Sequence, residues 1–297
     1  MPEEQHRFRF APSPNGRLHL GHAYSALCNR DRANACNGAL LLRMEDIDTV
    51  RCTPQFEQLI IDDMDWLGIA FDGSMRRQSA HFPDYEQALA RLREMELVYP
   101  AFLTRRQVAE AVNEAERSGR SWPRDPDGAP LYPGSERDWS DSHRATVMAT
   151  GQPFAWRLDM GKALAAARPV LAWHESGAGP DGQTGAINAE PARWGDVILA
   201  RKDTPTSYHL SVIVDDGLQA ITEVVRGHDL FHATDVHVLL QDLLGLPRPQ
   251  YHHHALLADE SGRKLSKSDG DTALAALRES GLTAQEVIAM CKTGATV

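Results

Sequence analysis

Residues 7–27 read RFRFAPSPNGRLHLGHAYSAL, and the order of residue types in this stretch decides the fold. Arg7 to Phe10 alternates charge with aromatic ring, a period of two that predicts a strand. Ala11-Pro12-Ser13-Pro14-Asn15-Gly16 then breaks regular structure with two prolines and a glycine. From His19 to about Cys36 the pattern predicts a helix, with Asn37-Gly38 as its stop. The apolar run ALLLRM at 39–44 is short enough for a buried strand. Thr53-Pro54 opens a second helix, with threonine as cap, proline in the first turn and Glu57 near the capping-box position. Strand, helix, strand, helix in this order implies right-handed crossovers and a parallel sheet.

A strand that runs through such a loop into a helix leaves unpaired backbone N–H groups and the positive end of a helix dipole at one sheet edge, where phosphate binds well. His19 and His22 are three residues apart, so their side chains share a face, and Gly21 leaves room for close approach of a nucleotide. The four residues alone admit phosphate contact, metal ligation or plain core and surface histidines. A metal would need a further ligand at defined spacing. At the other end, DESGRKLSKSDGD (259–271) reads as a polar loop whose Lys264 and Lys267 suit stabilisation of charge on an attacked α-phosphate.

Composition limits the alternatives. The chain has 297 residues and a formal net charge of −10, which argues against a general nucleic-acid coat while leaving room for a local basic face. Four cysteines, Cys28, Cys36, Cys52 and Cys291, lack C-x-x-C spacing, so neither a disulfide framework nor a thiolate zinc site is expected. No stretch has the apolar length of a membrane span, and MPEEQHRFRF lacks the apolar centre of a signal peptide, so a cytoplasmic location is expected. No apolar stripe beyond the expected core stands out, and a monomer is expected. Residues 118–142 and 175–185 are polar and rich in glycine or proline. They suggest an inserted subdomain, before alternating segments return at 220–225 and 251–258 with a helix between them over 233–244.

The ordered motifs resemble the class I aminoacyl-tRNA synthetases, with HLGH (19–22) as the first signature and KLSKS (264–268) as the second. RFAPSPNGRLHLGH (9–22), LLRMEDIDTVR (41–51), SYHLSVIVDD (207–216) and ITEVVRGHDL (221–230) are similar to the glutamyl and glutaminyl branch. The resemblance covers most of residues 7–270 and is weakest between about 105 and 190. It implies an α/β fold: a Rossmann-type doubly wound parallel sheet with an inserted α+β subdomain and a short helical C-terminal segment. The expected boundaries are 1–100 and 201–258 for the two catalytic halves, 101–200 for the insertion, and 259–297 for the KLSKS loop and helical tail.

The same resemblance implies ATP, carried with Mg2+, and L-glutamate as substrates. His19, Gly21, His22 and Lys267 would hold ATP, with His19, His22, Lys264 and Lys267 acting in the chemistry. Arg9 and Arg226 would pair with the glutamate carboxylates, Glu45 would take the ammonium, and Ala11, Ser13 and Tyr208 would complete that site. Only 29 residues follow Ser268, too few for a sizeable anticodon-binding domain. That implies the truncated paralogues of the branch, which attach glutamate to the queuosine base in the anticodon stem-loop of tRNA(Asp). A truncated enzyme charging tRNA(Glu), a small-molecule nucleotidyltransferase and a catalytically silent binding protein are the rival readings.

Many members carry zinc through Cys-x-Cys, where this chain has Ala101 and Leu103, so no zinc is expected. Packing by Tyr99, Phe102, Tyr132 and Trp139 is expected to hold the insertion. In His252-His253-His254 strand alternation lets at most two rings converge, and the strand's position suits an edge of the adenine pocket.

Overall fold

A computed structural model describes residues 5–257 and 273–293 of the chain. β1 (Arg7–Phe10), α1 (Leu20–Ala35) and β2 (Ala39–Met44) form the first crossover, with Arg9 paired to Leu41 in a parallel ladder. α2 (Pro54–Trp66) starts at Thr53, whose hydroxyl accepts from the Phe56 N–H; Glu57 takes no part in the cap and instead binds Arg77. α2 leads to β3 (Arg76–Arg77), parallel to β2, and then to α3 (Phe82–Glu94).

The chain next builds β4 (Val98–Ala101), α4 (Arg105–Arg117), α5 (Asp141–Ala149), β5 (Ala155–Leu158), α6 (Met160–Ala166), β6 (Ala172–Glu175), β7 (Gly185–Asn188) and β8 (Ile198–Arg201). It returns through α7 (Tyr208–Leu218), β9 (Glu223–Gly227), α8 (Ala233–Leu244) and β10 (Gln250–His254). α9 (Leu274–Glu279) and α10 (Ala284–Thr293) follow.

β9 and β10 are parallel, β6 runs parallel beside β10, and β7 closes that edge as an antiparallel hairpin with β6. Thr222 stitches the two halves together: its N–H donates to Arg7 O (3.0 Å) and its hydroxyl accepts from the Arg7 N–H (2.9 Å). The strands therefore lie in the order β3-β2-β1-β9-β10-β6-β7, with the topological switch point between β1 and β9. Residues 172–188 fall inside the stretch expected as an insertion, yet they extend the main sheet. The antiparallel β4-β5-β8 sheet with α4 and α5 forms the separate layer.

Alternation along the strands supplies both faces of the sheet. Phe8, Phe10, Leu40, Leu42 and Val225 pack with α1, α2, α9 and α10, whereas Leu41 and Val224 pack with α3, α7 and α8. Arg9 and Arg43 occupy the second set of positions and are buried facing α7. Among the described residues no helix is long and apolar enough to cross a membrane.

The antiparallel layer is held by more than aromatic packing. Phe102 stacks on Trp139 with ring centres 5.7 Å apart. Beside them the buried Glu136 carboxylate accepts from Phe102 N–H (2.9 Å), Leu103 N–H (3.3 Å) and the Tyr132 hydroxyl (2.6 Å). Tyr99 donates to Asp196 at 2.6 Å. Thus packing is joined by two buried carboxylates that satisfy otherwise orphaned donors.

Candidate active site at the sheet switch point

Ligands in open parallel sheets bind beyond the carboxyl ends of the strands at the switch point. Here a cavity of about 400 Å³ opens there, between the ends of β1 and β9 and the first turn of α1. Arg9, Ala11, His19, Gly21, His22, Glu45, Tyr208 and Arg226, all expected from the sequence, line it. Ser13 is not on that wall; its hydroxyl lies 3.5 Å from the Cys52 sulfur. Lys264 and Lys267 lie outside the described residues.

The two signature histidines cap their own helix. His19 sits at the N-cap, where its Nδ1 accepts from Gly21 N–H (3.1 Å), and His22 Nδ1 accepts from His19 N–H (3.2 Å). Both Nδ1 atoms being acceptors, the proton of each neutral ring sits on Nε2. The capping box therefore sets a donor on each ring at the positive end of α1. Gly21 has a more local reason than room for a nucleotide: a Cβ there would lie 2.9 Å from His19 Cε1. A side chain at this position would press on the ring that caps the helix.

The two arginines of the site are held differently. Arg9 Nε donates to Asp216 Oδ1 (3.2 Å) and its Nη1 to Val225 O (3.4 Å). Asp216 also binds Arg43; burial alone would raise its pKa, but Arg43 and Arg9 hold it below the ordinary carboxylate range. Arg226, by contrast, donates to neutral groups: His253 Nε2 (3.1 Å), Tyr208 Oη (3.3 Å), His237 Nδ1 (3.2 Å) and Thr234 Oγ1 (2.6 Å). Among the described residues no carboxylate is in ion-pair contact with Arg226. Its charge is thus available to an anion entering the cavity.

Glu45 follows the last residue of β2, with its N–H bonded to Pro12 O at 3.0 Å. Burial pushes its carboxyl up to about 7, against the pull of Arg43 and Arg9. An ammonium brought to it would restore the charged form. A carboxylate and an uncompensated guanidinium on one cavity wall match a zwitterion that carries a further carboxylate.

Sequence reasoning assigned no role to Asp216, Thr234, His237 or Glu175, and gave His253 only a strand position. Asp215-Asp216 at the end of the apolar run SVIV was a usable signal, since adjacent carboxylates on a buried helix need cationic partners. Of the histidine triplet, His254 lines the cavity edge-on to Tyr24 (4.9 Å), His253 is buried behind Arg226, and His252 lies 3.3 Å from Ser176. Among the described residues no group of three or more His, Cys, Asp or Glu is placed to hold a metal ion.

Residues 5–296 match the family model described as tRNA synthetases class I (E and Q), catalytic domain. The chain is 43% identical over 287 residues to the glutamyl-Q tRNA(Asp) synthetase of Rhodobacter capsulatus, covering 94% of this chain and 97% of that protein. It is 37% identical to the protein of the same name from Nocardia farcinica, covering 95% of this chain and 82% of that one. The crystal structure of the glutamate-tRNA synthetase from Elizabethkingia anophelis superposes with a TM-score of 0.79 at 26% identity, covering 97% of this chain and 61% of that chain. With its parallel sheet, switch-point cavity and matched length, the chain belongs to the class I tRNA synthetases of the E and Q branch, a family of ligases.

Proposed function

We propose that the protein activates L-glutamate with ATP and transfers the glutamyl group to the queuosine base in the anticodon loop of tRNA(Asp). The observation that carries the first half is the pairing in one cavity of Glu45 with Arg226, whose contacts are all neutral. Glu45 takes the substrate ammonium, while Arg226 and Arg9 take its carboxylates. Nε2–H groups of His19 and His22 meet the ATP phosphates at the N-terminus of α1, and magnesium enters with the nucleotide. A glutamate carboxylate oxygen attacks the α-phosphorus; the bond from that phosphorus to the bridging oxygen breaks and pyrophosphate leaves. Lys264 and Lys267 are assigned to the negative charge that develops there. A hydroxyl of the modified base then attacks the acyl carbon, and AMP departs.

The acceptor assignment is supported by the two relatives named above as glutamyl-Q tRNA(Asp) synthetases, of which the first is matched over 97% of its length. Radiolabelled glutamate supplied with queuosine-containing tRNA(Asp), queuosine-free tRNA(Asp) and tRNA(Glu) tests it. Label is expected on the first alone; label confined to tRNA(Glu) refutes the reading.

A further inference from the structure

Apart from Tyr208, the partners of Arg226 are side chains that the reaction chemistry does not use, and their hydrogen-bond polarity is determined by the geometry. A guanidinium has five N–H donors and no acceptor. His253 Nε2, receiving from Arg226 Nε at 3.1 Å, must therefore carry a lone pair, and the ring proton sits on Nδ1. That proton is directed at Glu175 Oε2, 2.5 Å away, with both side chains fully buried. Glu175 Oε1 is itself fixed by the N–H groups of His253 (2.9 Å) and Gly177 (2.7 Å). A side chain at Gly177 would intrude here, since its Cβ would lie 2.8 Å from His253 O and 2.9 Å from Glu175 Oε1.

The other side of Arg226 repeats the logic. His237 Nδ1 accepts from Arg226 Nη1 at 3.2 Å, so its proton is on Nε2, facing His209 Nδ1 at 3.3 Å. From this we infer that Glu175, His253 and His237 are positioning residues: they hold two imidazoles as neutral acceptors, so that Arg226 is oriented without being neutralised and keeps its charge for the substrate carboxylate. Glu175 acts as a counter-charge at one remove, separated from the arginine by the His253 ring. Burial, first, and the nearby Arg226 push His237 well below its ordinary value, and His253 is lowered to about 4 by burial against the opposing bond to Glu175, consistent with neutral rings.

The inference rests on the glutamate reading for its consequence, but the ring states can be tested without substrate. In Glu175→Gln the amide oxygen must stay with the two backbone donors, so the new NH2 group points at His253 Nδ1. The ring proton then moves to Nε2 and opposes the N–H of Arg226. Glu175→Gln is expected to raise the apparent KM for glutamate about tenfold in glutamate-dependent ATP–pyrophosphate exchange, with the KM for ATP unchanged. Adding it to His253→Phe should change nothing further. A glutamate KM unaltered in Glu175→Gln, or an equal rise for ATP, would overturn the inference.

Nitrogen-15 NMR of the histidine rings in the wild-type protein gives the second readout. The resonance is assigned by its loss in His253→Phe or, if that variant does not fold, by its change in Glu175→Gln. The Nδ1–H tautomer is expected for His253; Nε2–H or an imidazolium at neutral pH refutes the cage. A wild-type enzyme with no glutamate-dependent exchange would defeat the proposed function, while the ring measurement would still decide the state of His253.

Discussion

Asp216 Oδ1 accepts from Arg9 Nε at 3.2 Å while the same carboxylate binds Arg43, so one residue of α7 ties the ends of β1 and β2 together beneath the cavity. Arg43 and Asp216 are buried, and removing the carboxylate would leave two guanidinium groups short of countercharge. Asp216→Ala is expected to lower unfolding free energy by about 3 kcal/mol or more, read from urea denaturation. A loss within the range of a surface substitution would show that Asp215, 3.7 Å from Arg43, suffices alone.

Arg226→Ala tests substrate binding without breaking an ion pair, because this arginine has no carboxylate partner among the described residues. The loss of a charged hydrogen-bond donor should cost about 1.5–3 kcal/mol of glutamate binding, roughly tenfold to a hundredfold in KM. The KM for ATP should hold steady. Equal effects on both substrates would argue that the guanidinium supports the whole cavity.

Glu45 links pH to both binding and folding. Its folded-state pKa, pushed up to about 7 from the ordinary 4.5 by burial, means that folding takes up a proton between those values. Its contribution to stability is therefore fully present below about 4.5 and is lost as pH rises toward 7. Glutamate binding runs the other way, since the ammonium needs the ionised carboxylate. Wild-type KM for glutamate should fall as pH rises through 7, whereas Glu45→Gln should show a raised KM without that step and should lack the decline in stability. A KM profile shared by wild type and variant would remove Glu45 from the ammonium site.

Glu136→Ala addresses the antiparallel layer. It leaves the N–H groups of Phe102 and Leu103 and the Tyr132 hydroxyl without their acceptor. The expected cost is about 2–3 kcal/mol, accompanied by faster hydrogen exchange at 102 and 103. Glu136→Gln should lose less, because its amide oxygen can still receive the backbone donors. Unchanged exchange at these two amides would mean that aromatic packing carries the layer.

How much was legible in the sequence follows the range of each interaction. The turn from β1 into α1 and the place of the histidines at its start could be read because two prolines and a glycine between periodic segments mark such a turn locally, whereas the cap made by the two rings appears only in the structure. Arg9, Glu45, Tyr208 and Arg226 could be named through the ordered motifs. What local pattern could not express is which arginine would be neutralised. Arg9 and Asp216 are 207 positions apart, and Arg226 meets His253 through the β9–β10 register. Nor could residues 172–188 be recognised as part of the main sheet, since polar loops flank short strands there and pairing with β10 is a long-range event.

The sequence by itself determined the alternation of strand and helix, the position of the first helix start and the kinds of side chain gathered at one edge of the sheet, because these depend on neighbours along the chain. Only the tertiary structure decided that Arg9 is paired and Arg226 is not, and that Glu175 stands behind His253. Those outcomes depend on strand register and burial, which determine where a charge finds its partner once water has been excluded.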